Sequence, residues 1–121
     1  MKIVILGIVF FAASNAWAVD YPKEMIGKWI NSTNNQKVAC RNPQLVIEIN
    51  SRYDEFDVAC VPTQITIQKV SSTITKYVAI EKCEREDSKW TQTTTFVPGG
   101  LMLVTEKRKL DETLLKLKYC Q

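Results

Sequence analysis

QITIQKVSSTITKYVAIEK, residues 64–82, alternates polar and apolar side chains on both sides of a Ser71-Ser72 pair. Because successive side chains of a β-strand point to opposite faces, this alternation predicts two strands. The short serine turn between them predicts a β-hairpin. In its second strand we expect one face to hold Ile74, Val78 and Ile80 and the other to hold Thr75, Tyr77 and Ala79.

Strand patterns extend outward from this hairpin in both directions. Turns are expected around residues 50–52 and at Pro98-Gly99-Gly100, the strongest turn signal in the chain. Only Tyr21–Ile26 suggests a brief helical turn. The predicted strands are 27–30, 45–49, 53–61, 64–70, 73–82, 90–97, 101–107 and 113–119.

Strands of this length and spacing predict an all-β fold. We expect a single small antiparallel β-barrel, or a sandwich, of about eight strands. Closure into a barrel has a physical motive, because it removes exposed strand edges from a chain rich in β-branched residues. The domain should span residues 19–121, and a chain of that length has room for one core.

Residues 1–18 have the composition of a cleavable signal peptide. Lys2 precedes the apolar run Ile3–Ala13, and Ala16-Trp17-Ala18 places small residues where a signal peptidase requires them. The apolar run is about half the roughly 20 residues needed to span a bilayer, so we expect no membrane anchor. The predicted location is the periplasm or the secreted space, and the junction looks bacterial.

Four cysteines, Cys40, Cys60, Cys83 and Cys120, follow the predicted signal. An even number in a short exported chain predicts two disulfide bonds that staple the domain. Their spacings of 20, 23 and 37 residues contain no close ligand pair, and the chain has no histidine, so a metal site is not expected. Three pairings are possible. A hairpin around residues 50–52 favours Cys40–Cys60 with Cys83–Cys120.

Catalytic motifs are lacking. Without histidine there is no Ser-His-Asp or Cys-His arrangement, and no Gly-rich phosphate loop occurs. Acidic pairs such as Asp54 with Asp57 read as charged turns. We therefore predict no enzyme, no catalytic residue and no cofactor. Of the 16 basic residues, 15 follow the signal against 13 acidic ones, and a balance this even predicts no nucleic-acid partner.

Two tyrosines are the best candidates for an exposed contact surface. Tyr21 precedes the first strand, and Tyr53 lies between Arg52 and Asp54 beside an expected turn. Aromatic side chains flanked by charge are common anchors in protein interfaces. We expect both to be exposed and to bind a partner.

Gly27-Lys28-Trp29 resembles the Gly-x-Trp signature of lipocalin-like small barrels, in which the tryptophan closes one end of the barrel. With the export signal, Cys40 and Cys60, the stretch from Tyr21 to Cys60 resembles bacterial periplasmic metalloprotease inhibitors. That resemblance implies barrel closure by Gly27 and Trp29. It also implies that the segment before the barrel, including Val19 and Asp20, inserts into a protease cleft.

The leading hypothesis is an exported, non-enzymatic and monomeric binding protein that inhibits or neutralises a hydrolase or toxin. Periplasmic lysozyme inhibitors and immunity proteins fit the same broad description. The alternative is a lipocalin-like carrier of a small apolar ligand. A third possibility is a structural or assembly component of the cell envelope.

Overall fold

The computed structural model describes residues 19–120 and shows an all-β barrel. The predicted signal peptide and Gln121 lie outside this range. One turn of 3₁₀ helix, Lys23–Met25, precedes the first strand, and one short helix, α1, spans Gln36–Ala39. The strands are β1 Gly27–Asn31, β2 Leu45–Ile47, β3 Arg52–Asp54, β4 Ala59–Lys69, β5 Thr75–Arg85, β6 Ser88–Val97, β7 Met102–Arg108 and β8 Asp111–Tyr119.

Each strand pairs with its neighbours in the sequence, and β1 also pairs with β8. All pairings are antiparallel, so the sheet closes as an up-and-down barrel and the predicted barrel is confirmed. Within the described range no helix has the length and apolar character needed to cross a membrane.

The two ends of the barrel differ. Because the connections of an up-and-down barrel alternate, loops 55–58, 86–87 and 109–110 share one end, which we call the open end. Loop 32–44 leaves β1 at this end, but its residues Gln36 and Cys40 bond to Tyr119 and Cys120 at the far end of β8. The other end carries the N-terminal segment 19–26 together with loops 48–51, 70–74 and 98–101. We call it the closed end, because this segment buries Tyr21 and Met25 there.

The predicted strand 53–61 is wrong in its continuity. It breaks at residues 55–58, where the Asp54 carboxylate accepts hydrogen bonds from the backbone N–H groups of Phe56 and Val58. Asp57 has a positive φ of 63°, which an extended strand does not allow. The part after the break joins the next predicted strand in one long β4. Phe56 is consequently exposed instead of facing the interior.

The predicted turn at residues 50–52 is misplaced, because the loop between β2 and β3 covers residues 48–51. Arg52 is already in β3, opposite Ile47 and Cys60, and its side chain points inward. The segment after β1 leads into α1, whose first turn is capped by the Asn35 side chain. The main hairpin, by contrast, forms as predicted, with Tyr77 and Ala79 on the buried face.

The predicted disulfide pairing is wrong. Cys60 on β4 stands directly opposite Cys83 on β5, and these two form one bond. Cys40 bonds to Cys120 instead. The expected pairing assumed that Cys40 continued a strand facing Cys60. Cys40 instead follows α1 on a loop. Its partner Cys120 follows β8, where its backbone N–H donates to the Lys28 carbonyl in β1.

A continuous apolar core fills the closed half of the barrel. The N-terminal segment enters it, since the Tyr21 backbone N–H donates to the Ile49 carbonyl and the Tyr21 ring packs edge-on against Phe96. The core residues are Tyr21, Met25, Trp29, Leu45, Ile47, Tyr77, Ala79, Phe96, Met102, Val104 and Leu117.

Candidate functional site

A buried ion pair crosses the barrel interior. The side chain of Arg52 is 2% exposed and that of Glu81 is 0% exposed. Arg52 Nε donates to Glu81 Oε2 over 2.7 Å and Nη2 donates to Oε1 over 2.8 Å. This bidentate geometry is the strongest that guanidinium and carboxylate groups form. It compensates the large cost of taking two charges out of water.

Neutral side chains extend this pair into a network. The Tyr21 hydroxyl donates to Glu81 Oε2 over 2.5 Å, and the Thr94 hydroxyl donates to Oε1 over 2.5 Å. Gln92 Nε2 donates to Thr94, and Trp90 Nε1 donates to Gln92 Oε1. The strand period explains the alignment, because residues 90, 92 and 94 alternate inward along β6. The network therefore runs from the closed end to the open end.

Electrostatics keeps the central pair charged. Burial opposes ionisation of Glu81, but the Arg52 charge and hydrogen bonds from Arg52, Thr94 and Tyr21 outweigh it and lower its pKa. Burial likewise opposes the charge on Arg52. The charge of Glu81 and its hydrogen bonds with Arg52 outweigh this effect of burial, so the pKa of Arg52 is raised. Burial, and next the nearby Glu81 charge, raise the pKa of the Tyr21 phenol. The tyrosine thus remains a neutral donor.

Glu106 on β7 joins the network at the open end. Its Oε2 accepts from Arg52 Nη2 over 2.9 Å, and its side chain is 24% exposed. Two adjoining cavities of about 230 and about 240 Å³ open there. They share Asp54, Glu106 and Thr113 as lining residues. We call the two cavities together the mouth. The mouth exposes one edge of an otherwise buried network to solvent.

Apolar and aromatic side chains surround the mouth. Phe56, on the loop after β3, is 60% exposed, and Leu110, at the β7–β8 turn, is 99% exposed. The Arg108 guanidinium lies 4.1 Å from the ring centroid of Trp90, which lines the second cavity. Large apolar residues exposed on loops are a typical feature of binding surfaces.

The residues predicted for partner binding do not converge on this mouth. Tyr21 is 2% exposed, so the expectation that it lies on the surface is wrong. Its ring completes the core and its hydroxyl binds Glu81, which explains the burial. Tyr53 is exposed as expected, on the outer wall of β3. Val19 is half-buried and Asp20 exposed, both in the segment at the closed end.

Gly27 and Trp29 do form a structural unit. Gly27 has a φ of 145°, and a Cβ atom there would lie 2.3 Å from Cε1 of Tyr119. The ring of Tyr119 therefore packs over the glycine, and it also meets Trp29 edge-on with centroids 5.2 Å apart. Trp29 Nε1 donates to the Met25 carbonyl, which ties the N-terminal segment to β1. A side chain at position 27 would displace this packing.

Sequence reasoning missed the network residues. Glu81 follows Tyr77 and Ala79 in the alternation of β5, and that phase was the available signal for its burial. Arg52 lies within the predicted turn at residues 50–52, so the alternation of the strands does not predict its burial. Glu106 and Gln92 are ordinary polar residues in strands, and only barrel closure brings them toward Arg52.

Potential metal ligands meet at one place in the described residues. Cys60, Cys83 and Glu81 have ligand atoms within 4.8 Å of one another. Both sulfur atoms belong to the Cys60–Cys83 disulfide, and Glu81 is held by Arg52, so in this state the trio offers no thiolate ligand.

Comparisons with protein-family models, with curated proteins and with solved structures find no match.

Proposed function

We propose that this chain is an exported, non-enzymatic binding protein that inhibits or neutralises a hydrolase or toxin, and that it docks through the open end of the barrel. The observation that carries the proposal is the pair of exposed apolar side chains, Phe56 and Leu110, on loops at that end. Charged residues lie at the same end: Asp54 and Glu106 line a cavity with Phe56, and Arg108 ends the strand before the turn that carries Leu110. An apolar anchor within a polar rim is the usual organisation of a protein interface.

Rigidity supports the same proposal. We call loops 55–58 and 109–110, which carry Phe56 and Leu110, the rim. The strands that carry the rim are closed into a barrel, and the Cys60–Cys83 bond joins β4 to β5. The Asp54 carboxylate holds the Phe56 loop through two backbone N–H groups. A preorganised surface loses little conformational entropy on docking, so more of the contact energy appears as affinity.

The alternative, carriage of a small apolar ligand inside the barrel, is less well supported. The closed half is filled by packed side chains, and the remaining interior is crossed by the Arg52–Glu81 pair. An apolar ligand placed beside this pair would offer its charged groups no hydrogen bonds. The polar interior therefore favours binding at the mouth and rim.

The rim can be tested by partner capture with matched variants. Immobilised wild-type protein should retain one stoichiometric partner from an extract of exported proteins, and the Phe56→Ala/Leu110→Ala variant should lose it. The Ile67→Ala/Leu103→Ala variant is the control, because both residues are exposed on strands away from the rim. The partner, once identified, should lose its hydrolytic or toxic activity when the wild-type protein is added.

Two results would contradict this proposal. One is the absence of any stoichiometric partner. The other is equal retention of the partner by the rim variant and by the wild type.

A further inference from the structure

The floor of the mouth presents an unused hydrogen-bond donor. Arg52 lines the first cavity, and its Nε and Nη2 atoms bind Glu81, Thr94 and Glu106. Among residues 19–120 no hydrogen bond from Nη1 to an acceptor is found. Because Arg52 is one of the residues that line this cavity, we infer that Nη1 is its donor toward the mouth.

Acceptors lie beside this donor. Glu106 uses Oε2 to bind Arg52, and Asp54 uses Oδ1 to bind its own loop, which leaves the second oxygen of each carboxylate for a ligand. The Gln44 amide and the Thr113 hydroxyl line the same cavity. Loop 55–58 is held next to Gln44, because the Glu55 backbone N–H donates to the Gln44 carbonyl. Donor and acceptor groups are thus positioned before any ligand arrives.

The mixture of charges selects among ligand classes. The carboxylates of Asp54, Glu55, Glu106 and Asp111 line the mouth together with the guanidinium groups of Arg52 and Arg108, and Arg52 is already paired with Glu81. A cation would pair with the carboxylates but would lie near two guanidinium groups, whereas an anion would face all four carboxylates. A neutral hydroxyl group satisfies both sides, because its oxygen accepts from Arg52 while its O–H donates to a carboxylate. Several hydroxyl groups on one ligand would use several of these positions together.

The cavity walls suit the carbon skeleton of such a ligand. Phe56 presents a largely exposed ring, and Leu45 and Leu115 add apolar surface. A ring with polar edges and C–H faces fits between apolar walls and a polar floor. Each of the two cavities, of about 230 and about 240 Å³, is somewhat smaller than the roughly 300–1,000 Å³ usual for a small-molecule site, which suits a single small ring.

We propose that the mouth binds a neutral polyhydroxylated ligand, namely a saccharide unit. Arg52, Glu106 and Asp54 hydrogen-bond its hydroxyl groups, and Phe56 packs on its C–H face. This site lies beneath the rim assigned to a protein partner, and saccharide binding does not depend on the existence of that partner.

The test is an NMR titration of the purified, disulfide-bonded protein. The probes are the methyl glycosides of glucose, mannose, galactose and N-acetylglucosamine, with n-butylammonium and inorganic phosphate as charged counter-probes. At least one glycoside should cause saturable shifts of the Gln44 and Gln92 side-chain amides and the Trp90 indole N–H. The counter-probes should not displace it.

Floor variants separate this site from the protein-binding rim. Glu106→Gln and Thr113→Val should each raise the glycoside Kd, by about tenfold for the carboxylate, because a hydrogen bond to a charged group is lost. Thr66→Val, on the exposed outer wall of β4, should leave the Kd unchanged. Leu110→Ala should weaken partner capture without changing the Kd, because Leu110 does not line either cavity.

The proposal is overturned if none of the four glycosides shifts the mouth signals. It is also overturned if n-butylammonium or phosphate binds more tightly than every glycoside, or if Glu106→Gln and Thr113→Val bind as well as the wild type.

Discussion

The two ends of this barrel treat aromatic side chains in opposite ways. At the closed end Tyr21 is buried, although it precedes the first strand and is flanked by Asp20 and Pro22. At the open end Phe56 is exposed, although it lies in a stretch that alternates like a strand. Burial here follows from where the chain runs after closure, and the chemical type of the residue is a poor guide to it.

The Arg52–Glu81 network lies between these ends and links them. Its apolar side is covered by Tyr21 and Phe96, and Arg52 lies 5.6 Å from the Phe96 ring centroid. Its other side meets the mouth through Glu106. The closed end thus stabilises a charged group whose other side faces the mouth. Five substitutions test this division, in decreasing order of expected effect on stability.

Arg52→Met should cause the largest loss. It removes the partner of Glu81 and leaves an uncompensated buried carboxylate, a change that costs about 4–5 kcal/mol of unfolding free energy. Urea denaturation followed by tryptophan fluorescence measures this loss. The double variant Arg52→Met/Glu81→Gln should recover part of it, because the remaining group is neutral. Equal stability of the single and double variants would show that the charge pair is not the cause.

Tyr21→Ala should come next and tests the closed end. The change empties a buried ring position and removes a donor to Glu81, so we expect a loss of about 3 kcal/mol. The exposed Tyr53→Ala is the matched control and should change stability little. Thermal and urea unfolding measure both. A small effect of Tyr21→Ala would mean that the N-terminal segment does not close the barrel in solution.

Tyr21→Phe keeps the ring and removes only the hydroxyl group. At neutral pH we expect a loss of about 1.5–2 kcal/mol, because one hydrogen bond to a charged acceptor disappears. The variant should also change the alkaline limb of the stability curve. The pKa of Tyr21 is raised above its ordinary value of 10.0, so its contribution is complete below pH 10.0 and declines as the pH rises further.

The measurement for Tyr21→Phe is unfolding free energy between neutral pH and pH 11. The wild type should lose more stability above pH 10.0 than the variant does. Some alkaline loss should remain in the variant, since a hydrogen bond to Glu24 also raises the pKa of Tyr77. Parallel curves for wild type and variant would contradict the buried, neutral state of Tyr21.

Phe56→Ala and Leu110→Ala should have the smallest effect. Both side chains are largely exposed at the open end, so each change should alter the unfolding free energy by less than about 0.5 kcal/mol. The expected contrast with Tyr21→Ala is the direct measure of how the two ends differ. A loss comparable to that of Tyr21→Ala would place these side chains in the core and remove them from the proposed rim.

Much of the fold was predictable because it depends on local patterns. The hairpin of β4 and β5, the turn at Pro98–Gly100 and the number of strands all follow from alternation and turn residues. The break at residues 55–58 was missed because an apolar phenylalanine continued the alternation. What ends the strand is a side chain, Asp54, that bonds to the backbone ahead of it.

The candidate site was much less predictable. Arg52 and Glu81 are 29 positions apart, and Glu106 is 54 positions from Arg52. No local pattern relates residues at such separations, because their contact depends on the register between strands and on closure of the barrel. The disulfide pairing failed for the same reason. It required knowing which strands are neighbours and where the loop with Cys40 lies.

Alternation along the chain was enough to predict an all-β domain of about eight strands, as a barrel or a sandwich, since the period of a strand is a local property. Its cysteine content likewise predicted that four cysteines form two disulfide bonds. Two bonds do form, although between other partners than expected. The identity of the buried pair came from closure of the barrel. The exposure of Phe56 came from the strand break at residues 55–58, and the cysteine partners were decided by strand register and by the path of the loop that carries Cys40. Closure assigns each residue a position relative to strands far away in the chain, and that position determines burial and hydrogen bonding.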